Sequence, residues 1–224
     1  MKQIPSPLSD DVFTTLKERI IQWKYPPGYR LIEESLVDEF GVSRSPVREA
    51  LRMLVENGLV DKEPHKGYNV KQPDLREIHD LYEVRLALEL YAVEMLAKNG
   101  MPMETREKLY ATWKKVLEAT PQPLADFAEQ DEEFHESLAA ATNNKSLLQY
   151  LHNIDERLHI IRMMDITSND RLRSTCEQHL RILDGIQEGN VGAAREALEM
   201  NIQDGRAFVE HAVKAALAKA YLGI

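Results

Sequence analysis

The chain has 224 residues, 43% of them hydrophobic and 29% charged, with a formal net charge of −9. That composition belongs to a globular protein and excludes bulk disorder. The single cysteine, Cys176, excludes an intrachain disulfide and a cysteine-rich zinc module.

The first residues, Met1 to Asp11, lack the apolar core of a secretory signal. No apolar run approaches the ~20 residues that a spanning helix needs. The expectation is a cytoplasmic protein with no membrane partner. Residues 1–74 carry 11 Lys and Arg against 12 Asp and Glu, so nearly all the negative charge falls in the remainder. A near-neutral small module therefore precedes an acidic larger one. The chain is expected to divide into domains at 1–72 and 73–224.

Residues 8–24 read as a helix. Val12, Phe13, Leu16, Ile20 and Ile21 recur at helical spacing, with Ser9 placed to cap the start. Tyr25-Pro26-Pro27-Gly28 stops it. A short helix over 33–40 ends at Gly41, and a third runs over 43–57. Ser43 is its expected N-cap, Pro46 falls in its first turn, and Val47, Leu51, Leu54 and Val55 form its inner face. Two strand-like pieces, 59–63 and 68–71, flank the turn Pro64-His65-Lys66-Gly67.

Helix, short helix, turn, helix and hairpin is the order of a winged helix-turn-helix. In that plan the second helix of the pair enters the major groove and the hairpin touches the flanking backbone. Arg44 and Arg48 start that helix, and arginine can hold guanine O6 and N7 with two hydrogen bonds. Ser43 and Ser45 suit phosphate oxygens. At the hairpin tip Lys66 offers a phosphate partner and Gly67 permits close backbone approach. The blander reading of the same pattern is a helical lid with surface arginines.

The wording of the segment is more specific. Pro27 to Val70 resembles the DNA-binding domain of the GntR family of bacterial transcription regulators. The resemblance rests on Pro27-Gly28-x-x-Leu31, on Gly41 through Arg52 followed by Leu54, on Asn57-Gly58-Leu59-Val60, and on Lys66-Gly67-Tyr68-x-Val70. It implies a partner, double-stranded operator DNA, contacted by Ser43, Arg44, Ser45, Arg48, Lys66 and Gly67. One departure is Glu34, where some members carry a DNA-contacting arginine. A carboxylate cannot pair with a phosphate, so that contact is expected to be missing.

Beyond Pro73 no strand signal appears, and helices are expected at about 74–99, 102–119, 122–142, 144–164, 168–189 and 191–221. The expected fold is mainly α: a winged helix-turn-helix with a small β-hairpin wing, followed by a helical bundle. Helical phase places polar groups where apolar ones belong. Asp131 and His135 lie mid-face with Leu124, Phe127, Leu138 and Thr142. His179 is centred among Leu172, Thr175, Cys176, Ile182, Leu183 and Ile186. Asn201 is centred among Ala194, Ala197, Leu198, Gly205, Phe208 and Ala212. Arg85 and Arg162 also face inward, while His159 and His211 lie off their face centres and His152 lies on the solvated side.

So many inward polar groups point to a wet cavity. One carboxylate and two imidazoles suit Zn, with Ni, Mn or Fe also accommodated. Arg85 and Arg162 are placed to hold the carboxylate of a small organic acid. The competing reading pairs Asp131 with His135, makes His179 a satisfied core histidine, and leaves both arginines in structural salt bridges.

The segment from Leu75 to Ala212 is similar to the FCD ligand-binding domain, the helical partner of one GntR branch. The matching pieces are Leu81-Tyr82-Glu83-Val84-Arg85-x-x-Leu88-Glu89, Asp131-x-x-Phe134-His135, Gln178-His179-x-x-Ile182-Leu183-x-x-Ile186 and Gly189-Asn190-x-x-x-Ala194. Metal-binding members use one Asp and three His. The resemblance implies metal ligands at Asp131, His135 and His179, with Asn201 in the place of the fourth. It further implies a homodimeric regulator, more often a repressor, whose effector is a small carboxylate or sugar acid. The alternative function is a metal-dependent hydrolase or lyase, against which no general base or nucleophile constellation stands out.

Overall fold

The structure, a computed structural model, describes residues 7–63, 67–119, 127–165 and 169–222. The chain divides into two compact units: Met1–Asp74 with Val213–Ile224, and Leu75–Ala212.

The first unit contains α1 (Pro7–Ile21), β1 (Arg30–Leu31), α2 (Glu33–Phe40), α3 (Arg44–Glu56), β2 (Val60–Glu63) and β3 (Gly67–Val70). Val12, Leu16 and Ile20 of α1 are buried, as are Val47, Ala50, Leu51 and Leu54 of α3. The two stripes recur every three or four residues, so each helix turns one face to the core. The hairpin is part of a three-stranded antiparallel sheet in the order β1-β3-β2, with Leu31 opposite Tyr68 and Val60 opposite Val70. β1 escaped the sequence reading because two residues carry no periodicity. Ser9 is not the cap it was expected to be: α1 begins at Pro7, and Ser9 is buried inside its first turn.

The second unit is built from α4 (Leu75–Asn99), α5 (Met103–Glu118), α6 (Phe127–Ala141), α7 (Lys145–Asp165), α8 (Asn169–Gln187) and the larger part of α9 (Val191–Leu222). Trp113 of α5 is buried and meets Phe127 and Phe134 of α6 edge-on, with ring centroids 5.6 and 5.7 Å away. Leu151 and Leu158 of α7, Leu172, Ile182 and Ile186 of α8, and Leu198 and Val209 of α9 are also buried. α8 and α9 cross closely at Gly185, where an added Cβ would lie 2.7 Å from the Ala194 nitrogen. Asn190 caps α9, its Oδ1 accepting the Ala193 N–H at 3.1 Å. Leu124, expected on the inner face of α6, lies outside the described residues. Phe208 departs from its expected place: it is 45% exposed, with the Arg171 guanidinium 5.1 Å from its ring centroid. Ile202 and Val209 occupy the inner face of that part of α9 instead.

Candidate metal, effector and nucleic-acid sites

The start of α3 is an exposed surface. Ser43 takes the N-cap position with extended backbone, yet its hydroxyl makes no capping bond. Ser43, Arg44, Ser45 and Arg48 are exposed, while Pro46 and Val47 between them are buried. That alternation follows from the helix period and fans the polar side chains outward. Both arginines have carboxylate partners on α2. Arg48 donates from Nε to Glu33 at 2.7 Å, and Arg44 from Nη2 to Glu34 at 3.3 Å. Glu34, at the position of the departure, therefore pairs with a neighbouring arginine. Gly67 opens β3 with φ +90°, a conformation most side chains avoid. Lys66 lies outside the described residues.

In the second unit the inward polar residues converge. His135 and His179 are fully buried, Asn201 is 4% exposed, and Asp131 is partly buried. Asp131 Oδ1 lies 3.2 Å from His179 Nε2 and 3.9 Å from His135 Nε2. One ligating atom from each of the three lies within 4.8 Å of the others. His135 does not turn its Nδ1 to Asp131. That nitrogen pairs with Glu89, whose other oxygen accepts Arg85 Nε at 2.6 Å. A carboxylate can only accept, so His135 donates from Nδ1 to Glu89, and Nε2 is the nitrogen that faces Asp131.

The cluster fits a metal ion. His135 Nε2 and His179 Nδ1 are buried without a hydrogen bond, and His179 Nε2 has only Asp131 Oδ1, at 3.2 Å, beside it among the described residues. Buried polar atoms of a folded protein are normally satisfied. Two ligands at the ~2.1 Å bond lengths of tetrahedral zinc sit roughly 3.4 Å apart, near the 3.2 Å from Asp131 Oδ1 to His179 Nε2 and shorter than the 3.9 Å to His135 Nε2. Phe134 stacks on His179 at 3.8 Å between centroids and Trp113 meets it edge-on at 4.1 Å, so the ring has no freedom to turn away. Burial among these rings pushes the His179 pKa down to about 4, against the pull of Asp131, and leaves the imidazole neutral, the ligating form. Burial alone would raise the Asp131 carboxyl, but the Arg162 guanidinium beside it holds it well below the usual range.

The arginines do not stand free. Arg162 donates to Asp131 and, at 3.0 Å, to Asp155, which lies 3.7 Å from Arg85. The salt-bridge reading is thus correct for both. They also line a cleft whose wall includes Asp131, Arg171, Thr175 and Asn201. Arg85 Nη2 is buried without a hydrogen bond. Glu89, Asp155 and Arg171 were not read as site residues from sequence. Asp155 shares the helical phase of Leu151, Leu158 and Arg162, and Glu89 stands one turn from Arg85, so the signal was present in their spacing. Of the peripheral histidines, His159 pairs with Glu132 at 2.9 Å, His152 pairs with Glu136 at 2.6 Å, and His211 is exposed.

Comparison with known proteins agrees with both units. Residues 8–70 match the bacterial regulatory proteins of the gntR family, and residues 80–204 match the FCD domain. The chain is 29% identical over 198 residues to the uncharacterized HTH-type transcriptional regulator YdhC of Bacillus subtilis, covering 86% of each chain. It is 25% identical over 202 residues to the HTH-type transcriptional repressor RspR of Escherichia coli, covering 88% of this chain and 87% of that one. Among solved structures, Lar, which controls the Listeria monocytogenes agr system, shares the fold with a TM-score of 0.67 at 23% identity, over 93% of this chain and 99% of that one. These relatives are named as transcription regulators, and the family matches support that class over the hydrolase or lyase alternative. Among the described residues no helix is long and apolar enough to cross a membrane. The chain belongs to the GntR family of DNA-binding transcription regulators, in the branch whose second domain is FCD.

Proposed function

We propose that this protein is a ligand-responsive repressor, acting in the cytoplasm as a homodimer on a two-fold symmetric operator. Its DNA contacts are Ser43, Arg44, Ser45 and Arg48 at the start of α3, with Lys66 and Gly67 at the wing. Its effector is a small organic or sugar acid held by Arg85 and Arg162 beside a divalent metal, zinc foremost, on Asp131, His135, His179 and Asn201. The domains are assigned as 1–72 for DNA and 73–224 for the effector.

The observation that carries the effector reading is the convergence of three potential ligands, with two buried histidines, beside an arginine-lined cleft. The metal would supply a positive centre and open coordination positions for a carboxylate. The protein's own residues do the rest: Glu89 fixes the His135 tautomer, Phe134 and Trp113 fix the His179 ring, and Arg162 keeps Asp131 ionised. For regulation, the effector must bind one arrangement of the dimer better than the other. Elemental analysis of protein prepared without chelator tests the site. About one divalent ion per chain, lost in His179→Ala while DNA binding persists, is the expected result. Metal content unchanged in His179→Ala would refute it.

A further inference from the structure

Asn201 stands where the proposed metal set needs a fourth donor, and an asparagine can fill that place in only one of its two orientations. Its amide oxygen has lone pairs to give, and its NH₂ has none. The side chain belongs to a hydrogen-bonded chain that decides between them. Asn201 Nδ2 donates to Gln178 Oε1 at 3.1 Å, and Gln178 Nε2 donates to Asp204 Oδ2 at 2.6 Å. Gln178 and Asn201 are each 4% exposed. The direction of this chain is set at its far end. Asp204 is a carboxylate and can only accept, so Gln178 must point its NH₂ at it. Gln178 then has only its carbonyl left for Asn201, and Asn201 must spend its NH₂ there. The oxygen is the atom that remains for the cleft, whose wall Asn201 forms with Asp131.

We infer that Gln178 and Asp204 are positioning residues that hold Asn201 Oδ1 toward the Asp131, His135 and His179 cluster as the neutral fourth donor to a divalent cation. The inference rests on the metal reading proposed above. A donor oriented this way would repel a bare carboxylate oxygen, so Asn201 serves the cation and leaves the acid to the arginines. Asp204 and Asn201 lie three residues apart on α9, so the polarity set at one is delivered within a single helical turn.

The test is Co²⁺ binding by calorimetry to the full-length protein and three variants. Asp204→Asn keeps the shape but no longer dictates direction, and Asp204→Lys reverses it. Removing an outer partner of a metal ligand lowers affinity by about 10- to 100-fold, and a drop of that order is expected in both, larger for Asp204→Lys. The double variant Asn201→Asp with Asp204→Asn separates orientation from simple structure. There Gln178 can turn round and donate to the new carboxylate, which ligates in either direction, so affinity should return to the parent level or above. Parent-level binding in Asp204→Asn and Asp204→Lys would overturn the relay and leave the metal site standing. A drop in Asp204→Asn that the double variant does not rescue would overturn it as well. A parent protein that binds no Co²⁺ would refute the metal reading, and the relay with it.

Discussion

Glu89→Gln is the sharpest test of the buried network because it changes one atom and almost no volume. Glu89 is 1% exposed and uses both oxygens: Oε1 accepts Arg85 Nε at 2.6 Å and Oε2 accepts His135 Nδ1. Glutamine has one acceptor oxygen, so one of the two donors must face an NH₂. The charge is lost as well, and Arg85, itself 2% exposed, is left with Asp155 at 3.7 Å as its carboxylate partner among the described residues. Removing one partner of a buried ion pair costs about 3–5 kcal/mol when the other charge is left alone. Because Asp155 still compensates Arg85 in part, the lower end applies, about 3 kcal/mol. For a unit of about 140 residues this lowers the melting temperature by roughly 10 °C. Differential scanning calorimetry of the full chain would follow the transition of the helical unit. A fall of less than about 3 °C would mean that Glu89 is not holding Arg85 and His135, and would remove the basis for assigning the His135 tautomer.

Three further predictions rest on separate parts of the molecule. Arg48→Ala should weaken binding to a DNA duplex selected by the parent protein from a random pool by about 1–3 kcal/mol at fixed salt, measured by fluorescence anisotropy; equal affinity would remove Arg48 from base recognition. Gly185→Ala should destabilise the helical unit by about 1–3 kcal/mol, because the new methyl meets the α9 backbone at Ala194, which cannot move aside as a side-chain tip would; a urea midpoint equal to the parent's would contradict the close crossing. His152 should titrate above its ordinary value of 6.5, since its Glu136 hydrogen bond and charge favour the protonated ring, and should return toward that value in Glu136→Gln, as read by NMR. A raised folded-state pKa places this contribution to stability below the unfolded value and removes it as pH rises through the folded one.

Periodicity and turn chemistry made most of the fold legible. The inward phase of Asp131, His135, His179, Asn201, Arg85 and Arg162 was also visible, because a helix repeats every 3.6 residues and so a polar residue on an apolar face declares itself. What periodicity cannot give is the partner across the bundle. Asp131 is nearer to His179 than to His135, one turn away on its own helix. His135 turns instead to Glu89 on α4, 46 residues earlier in the chain. The pairing of Arg44 and Arg48 with Glu34 and Glu33 was hidden for the same reason, since it depends on how α2 meets α3. Phe208 shows the opposite limit: its spacing fits the inner face of α9, but the packed face has drifted to Ile202 and Val209 by that point along the helix.

The charge within the cluster bears on how metal and effector would depend on each other. Arg85 and Arg162 are linked by ion-pair contacts to four carboxylates, those of Glu89, Asp131, Glu132 and Asp155. With neutral histidines these six groups carry two positive and four negative charges, and the arginines are already engaged. An organic acid entering the cleft would therefore meet a net negative neighbourhood of low dielectric, where repulsion is poorly screened. A divalent cation on Asp131, His135 and His179 brings the sum to zero and adds a direct partner for the incoming carboxylate, with Arg171 in the cleft wall supplying a further positive group. On the proposed reading, acid and metal must then bind with positive coupling, and each raises the affinity for the other by the same factor. Calorimetric titration of a hydroxy-acid panel into metal-loaded and chelator-stripped protein should show at least a tenfold preference for the loaded form, about 1.4 kcal/mol. An acid that binds both forms equally would place the effector on the arginines alone and detach it from the Asp131 cluster.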